Sequence, residues 1–396
     1  MSENLATFYQ QSELALAAYS QLSSGITGDS FVSALREAGM SQSQAQRFAA
    51  TWSVVDQYTD PWSGFSATLF ESGGQRYLAI RGTDGFFSVD TLADAQLLFG
   101  GAARNQIVSL YNYVQRLVTP AGQPAVQVED AAPDIDPITG HVSDPGGIRT
   151  TTSVAGLGYL AGVSGIAVTG HSLGGHLAAA ASYLFPTLIG ATYTFNAPGF
   201  SLNYAKALLD QFPGSAAAFP ATITNLVAHA GADIIAAVGT LPGVPVRIEI
   251  ENQLPNPIGN HYIVPLNDAL AIYNLFARLD PTASASAIDG ILSAASSSAA
   301  KTLEVTLAAV GKLFGKTYPN TETTRDTLYV NLYDLQGAIP GGGALTEVSL
   351  VGMDANTLAD TAKPRYLFGA DQPEKSQSPQ DGEDAAANDC AWRKAA

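Results

Sequence analysis

Residues 166–176 read Ile-Ala-Val-Thr-Gly-His-Ser-Leu-Gly-Gly-His, and the fold is decided there. A run rich in β-branched residues (Ile166, Val168, Thr169) ends in Gly170-His171-Ser172-Leu173-Gly174-Gly175, and an alanine-rich helical pattern follows over 177–184. Strand, Gly-x-Ser-x-Gly and helix, in that order, spell a nucleophile elbow. The chemistry accounts for each residue type. Ser172 is expected on a strained turn that points its hydroxyl out of the sheet edge. Gly170 and Gly174 carry no Cβ, so strand and helix can approach each other closely around it. The backbone N–H of Leu173, at the start of the helix, is placed to donate to a developing oxyanion. In a chain with 38 glycines the bare pattern is a weak signal; the flanking strand, the helix and the doubled glycine give it weight.

Working outward, residues 3–60 read as helices. Ser41-Gln42-Ser43-Gln44 resembles a capping box, and Phe48 and Trp52 lie one turn apart on the helix that follows. Runs at 65–71 and 77–81, joined by Ser72-Gly73-Gly74, predict a β-hairpin. Helical patterns fill 91–118, a strand is expected at 125–128, and 130–150 reads as a long loop. Beyond the elbow come a strand (191–195), a helix (202–212), strands at 223–227 and 246–250, and a helix over 264–279. This alternation implies a largely parallel sheet with helices on both faces. The Ala/Ser-rich stretch 284–316 has apolar residues at helical spacing (Leu303, Leu307, Val310, Phe314) and reads as amphipathic helices packed on the domain. The expected organisation is one catalytic domain, 1–370, with a helical segment at 1–60 and a helical addition at 282–335. Residues 371–396 are polar and read as a disordered tail.

The chain has 396 residues, 46% of them hydrophobic, which suffices for a large core. Its 19 Lys+Arg against 35 Asp+Glu give a net charge of −16. Nucleic acid is therefore excluded as an expected partner, and docking to an anionic membrane is disfavoured. Cys390 is the single cysteine, so no intramolecular disulfide can form. The first residues show neither the basic n-region nor the apolar core of a signal peptide. No apolar run approaches the roughly 20 residues that span a bilayer. Cytoplasmic residence and export without an N-terminal signal both fit.

A serine nucleophile needs a base, and the base an orienting carboxylate; on this architecture they follow in the order Ser, Asp/Glu, His. Of the five histidines, His141 and His171 precede Ser172, and His176 lies on the helix directly after it. His229 comes before the best acid candidate. His261, in the loop Pro255-Asn256-Pro257-Ile258-Gly259-Asn260-His261-Tyr262, remains as the base. Asp233 follows a strand in Ala228-His229-Ala230-Gly231-Ala232-Asp233 and is the acid candidate; an N-cap role for the same residue is compatible. A second oxyanion donor is expected after an early strand. Thr83, in Arg81-Gly82-Thr83-Asp84-Gly85-Phe86-Phe87, fits that place, where a plain turn is the alternative.

Ser172, Thr83, Asp233 and His261 carry a resemblance to the lipase class 3 superfamily, and within it to bacterial lipases and phospholipases that leave the cell by type I secretion. Tyr77-Leu78-Ala79-Ile80-Arg81-Gly82-Thr83 resembles the oxyanion segment and Val168–Gly175 the nucleophile segment. Ala232-Asp233-Ile234-Ile235 with Leu241-Pro242 resembles the acid segment, and Asn260-His261-Tyr262 the base segment. The resemblance covers roughly residues 60–280. Such proteins usually end in Gly-Gly-x-Gly-x-Asp calcium repeats, which this sequence lacks: Gly341-Gly342-Gly343 runs into Ala344-Leu345, and Leu367-Phe368-Gly369-Ala370-Asp371 into Gln-Pro-Glu-Lys.

The resemblance implies an α/β-hydrolase fold, a mostly parallel central sheet with added N- and C-terminal helices. It implies a triacylglycerol lipase acting at a lipid–water interface by a Ser-His-Asp acyl-enzyme mechanism, with phospholipase A1 or a short-chain carboxylesterase as alternatives. A non-catalytic binding module on the same fold is the contrasting reading. The chemistry needs no cofactor; a structural calcium remains open. Release by a route without a signal peptide is implied by the same resemblance. Phe86-Phe87 and 234–241 place apolar side chains beside the site. The helices of 30–55, with Phe31, Val32, Leu35, Phe48 and Trp52, either pack on the sheet or lie over the entrance as a lid.

Overall fold

The computed structural model describes residues 4–83, 89–135, 139, 141–229, 239–251, 257–280, 284–289 and 303–339. Its centre follows from strands that alternate with period two. In β2 (Ser66–Ser72) and β3 (Gln75–Ile80), Leu69, Leu78 and Ile80 enter the core on one face, and Phe70 and Ala79 enter the core on the other. These strands are an antiparallel hairpin, and β1 (Ser53–Thr59) pairs antiparallel with β2. An antiparallel pair, β4 (Pro124–Ala131) with β7 (Gly147–Ala155), and the short β5 (Asp134–Ile135) with β6 (Val142–Asp144) lie outside the main sheet. The sheet continues through β8 (Ile166–His171), β9 (Ile189–Phe195), β10 (Ile223–Ala228) and β11 (Val244–Ile248), all parallel to β3. The seven strands lie in the order β1-β2-β3-β8-β9-β10-β11. This is the α/β-hydrolase fold.

Helices cover both faces. The core on one side draws on α4 (Val89–Val118), α5 (Leu173–Leu184) and α6 (Leu202–Leu209). The other draws on α1 (Leu5–Ala17), α2 (Gly28–Glu37), α3 (Gln42–Thr51), α7 (Ile263–Leu279), α8 (Leu303–Leu313) and α9 (Arg325–Ala338). Ser41 caps α3 as its sequence predicts, accepting from Gln44 N–H at 3.1 Å. The Gln44 side chain does not complete a capping box; it reaches inward to Glu13 (3.2 Å) and Asn267 (2.7 Å).

Two expectations are corrected and one open alternative is decided. Residues 53–59 are a strand, not part of a helix. Asp56 and Gln57 disguise the alternation, but the Gln57 amide is satisfied by Ser20 O (2.9 Å) and Thr68 Oγ1 (2.8 Å). The expected loop 130–150 contains β5, β6 and the start of β7. These polar, exposed strands carry no hydrophobic stripe, and Gly146 and Gly147, at φ 71° and 113°, turn the chain into β7. Of the two readings of the helices at 30–55, packing on the sheet is the one seen. Phe31, Leu35, Phe48 and Trp52 are buried, and Phe48 stacks on Trp52 (5.8 Å) and meets Phe70 edge-on (5.6 Å). Phe86, Phe87 and residues 234–238 lie outside the described residues, as does the tail 371–396.

A polar staple joins the late helices to the early ones. Arg325 on α9 forks onto Asp268 of α7 (Nε–Oδ2 2.6 Å, Nη2–Oδ1 2.7 Å) and donates to Gln44 Oε1 (3.1 Å) and the Gly39 carbonyl. Tyr329 donates to Asp268 Oδ1 at 2.8 Å. A planar guanidinium gripping a carboxylate with two N–H groups is both strong and directional.

Candidate active site

The elbow takes the form its residues require. Ser172 has φ 55° and ψ −129°, a conformation a non-glycine residue adopts only when its surroundings impose it. Those surroundings are backbone packed against backbone. A Cβ on Gly170 would fall on Gly174, one on Gly174 would fall on Ile80 O, and one on Gly175 would reach within 2.7 Å of Ala197 Cβ. The turn is further pinned by Ser172 N–H donating to Phe195 O at 2.9 Å.

His261 ends a 3-10 helix, Pro257–His261, directly before α7. Its Nε2 lies 2.9 Å from Ser172 Oγ, and both residues are only 1% exposed. A hydroxyl at that distance can hand its proton to a neutral imidazole. Asp233 lies outside the described residues.

His261 is held through its own main chain. The His261 carbonyl accepts from His171 Nε2 (2.7 Å) and from Asn196 Nδ2 (3.0 Å). A carbonyl can only accept, so a neutral His171 carries its proton on Nε2, and Nδ1 accepts from the Tyr19 hydroxyl at 2.8 Å. Asn196 also donates to Asn260 O (3.2 Å) and accepts from Ala228 N–H (2.8 Å). It has φ 46°, a left-handed conformation that asparagine tolerates better than most residues. The residues at the ends of β8 and β9 thereby converge on the backbone of one residue, and the end of β10 braces Asn196.

The proposed oxyanion segment reaches the same place. Gly82 packs against the elbow so closely that a Cβ there would lie 2.6 Å from His171 O and 3.3 Å from Ser172 Cβ, and would also strike the Tyr19 hydroxyl. Thr83 follows it and is exposed. Leu173 N–H belongs to the first turn of α5, where backbone donors have no partner inside the helix. The structure thus brings Ser172, Leu173, His261 and the Gly82-Thr83 segment together.

The other histidines sit elsewhere. His176 is buried, with its ring on Phe200 (4.0 Å); burial pushes its pKa down to about 4. His229 is at the surface and pairs with Glu249 at 3.2 Å, and His141 is exposed. Among the described residues no group of three or more His, Cys, Asp or Glu could hold a metal ion. Asp134 bonds Ser143 (2.7 Å) and Asp144 pairs with Arg149, while Asp136 lies outside the described residues. No described helix is long and apolar enough to cross a membrane.

Sequence reasoning passed over Tyr19 and Asn196. Tyr19 is 152 residues from its partner, and nothing local marks it. Asn196 had a signal: an asparagine directly after a strand, in Phe195-Asn196-Ala197-Pro198, is a candidate for a left-handed turn.

No family model matches the chain, and no curated protein matches it by sequence. Among solved structures it is similar to Lip2 lipase from Yarrowia lipolytica, with a TM-score of 0.33 and 17% identity over 66% of this chain and 83% of that one. It is also similar to a lipase from Rhizopus microsporus var. chinensis (TM-score 0.30, 15% identity, 63% and 76% covered). A third is a triacylglycerol lipase from Penicillium expansum (TM-score 0.30, 11% identity, 63% and 80% covered). These likenesses are distant; fold and site here stand on the chain's own strand order and distances.

Proposed function

We propose that this protein is a serine hydrolase that cleaves carboxylic esters of lipid acyl chains, with triacylglycerol as the substrate class. The observation that carries the hydrolase reading is Ser172, forced into its strained elbow with Oγ 2.9 Å from His261 Nε2. Ser172 Oγ attacks the ester carbonyl while its proton passes to His261 Nε2. The resulting oxyanion is bound by the backbone N–H groups of Leu173 and Thr83. His261 returns the proton to the leaving alcohol, and water repeats the cycle on the acyl-enzyme. Asp233 is the proposed partner that keeps the imidazole in the tautomer this requires. The lipid part of the reading rests on the resemblance of the oxyanion, nucleophile, acid and base segments to class 3 lipases. A fluorophosphonate probe should label Ser172 and abolish ester turnover; a protein that is folded but unlabelled would be a binding module. A panel of emulsified triglycerides, soluble p-nitrophenyl esters and phospholipids then fixes the leaving group. Phospholipid turnover above triglyceride turnover would make it a phospholipase A1.

A further inference from the structure

The turn between β1 and β2, Asp60-Pro61-Trp62-Ser63-Gly64, leaves Trp62 95% exposed, whereas the next most exposed large apolar side chain among the described residues, Val244, is at 58%. Isolated apolar side chains on a surface are ordinary. Position, rigidity and charge set this one apart.

Position comes from the register. β2 runs antiparallel to β3, and β3 runs parallel to β8. The turn before Ser66 therefore lies at the end of the sheet where β8 delivers Ser172. Arg81, beside Gly82-Thr83, ties the turn to that end: its N–H donates to Ser66 O (2.9 Å) and its Nη2 to Gly64 O (3.3 Å).

Rigidity comes from Asp60. Its carboxylate accepts from Trp62 N–H (2.9 Å), Ser63 Oγ (2.9 Å) and Ser109 Oγ (2.5 Å), and its carbonyl accepts from Gly64 N–H (2.9 Å). The turn is fixed without any use of the indole. Presenting a large side chain to water from a fixed backbone does nothing for folding, but it lowers the ordering cost of inserting that segment into a partner.

Charge narrows the partner. The chain carries −16, and an anionic surface would repel it. Near the tip, the Asp60 carboxyl is raised by burial, but hydrogen bonds from Ser109, Trp62 and Ser63 outweigh that and hold it below the usual carboxylate range. Indole, apolar with one N–H donor, favours the boundary between lipid and water.

We infer that Trp62 is an anchor that seats the active-site end of the sheet on an electrically neutral lipid surface. The inference rests on the lipid-ester reading above.

The test compares the full-length protein with Trp62→Ala and Trp62→Phe in three assays: binding to phosphatidylcholine vesicles, turnover of emulsified triglyceride, and turnover of a soluble p-nitrophenyl ester. Trp62→Ala should weaken vesicle binding about tenfold, as expected for losing one interfacial aromatic anchor. It should lower emulsion turnover in parallel and leave soluble-ester turnover unchanged, with Trp62→Phe recovering part of the loss. Equal binding by wild type and Trp62→Ala, no binding by wild type, or tighter binding to phosphatidylserine vesicles would each overturn the inference. So would an equal loss of soluble-ester turnover, which would make Trp62 part of the fold, or a dimer that Trp62→Ala dissociates, which would make it a self-association contact. If wild type hydrolyses no ester yet binds vesicles through Trp62, the lipid-ester reading falls and the anchor stands.

Discussion

His171 donates from Nε2 to the carbonyl of His261 at 2.7 Å, so the residue preceding the nucleophile holds the backbone of the residue that would activate it. Asn196 donates to the same oxygen at 3.0 Å. The Ser172–His261 geometry is therefore set by main-chain anchoring as well as by the imidazole's own contacts.

Asn196→Gly isolates that anchoring. Glycine accepts the φ of 46° without strain, so the backbone is kept and only the amide is lost. The expected result is a fall in kcat for a soluble ester of about 10–100-fold, as small misplacements of reacting groups produce, with KM little changed. An unchanged kcat would show that the amide positions nothing.

Ser172→Gly should abolish turnover, since loss of a triad serine costs on the order of 10⁶ in kcat. It should also raise the melting temperature, because relieving a left-handed non-glycine residue recovers about 1–2 kcal/mol. A folded Ser172→Gly protein that retains a few per cent of activity would remove Ser172 from the mechanism.

His261 and His229 separate cleanly. His261→Ala should inactivate, whereas His229→Ala, which removes only an exposed pair with Glu249, should leave turnover within about twofold, because exposed ion pairs contribute little. The reverse ranking in a p-nitrophenyl ester assay would move the base away from His261.

Stability should depend on pH through Glu13. Burial pushes its carboxyl up from 4.5 to about 7, against hydrogen bonds from Tyr9 (2.7 Å) and Gln44 (3.2 Å) and the nearby Arg47 and Arg325. A carboxyl with a raised folded-state pKa binds more protons when folded. Its contribution is complete below the unfolded value of 4.5 and is lost as pH rises through about 7. Glu13→Gln should therefore gain on wild type, by on the order of 2–3 kcal/mol between pH 5 and pH 8. Parallel melting-temperature curves for the two proteins would show that Glu13 does not titrate in this window.

What the sequence disclosed tracks how local each signal was. The elbow was legible because strand, glycines and helix are contiguous, and each glycine answers a close backbone approach. His261 emerged from chain order, a rule of connectivity and not of contact. Strand β1 was lost because Gln57 faces polar partners on other elements, Ser20 and Thr68, which only the fold brings near. Tyr19 was invisible for the same reason, its partner lying far along the chain, whereas Asn196 showed only the mark of a turn and nothing of its long-range hydrogen bonds. The apolar helices at 30–55 were ambiguous because an amphipathic face reads alike whether it covers a sheet or an entrance, and the packing of Phe48 on Phe70 decided it.

The grip of Arg325 on Asp268 also imposes a timetable. Ribosomes complete the nucleophile and the base well before the arginine, which lies 57 residues beyond Asp268. Helix α7, which starts two residues after His261, carries a largely buried carboxylate, Asp268, whose paired cation comes from that late arginine. Ser172 and His261 are therefore on the chain before the residue that clamps the helix following His261.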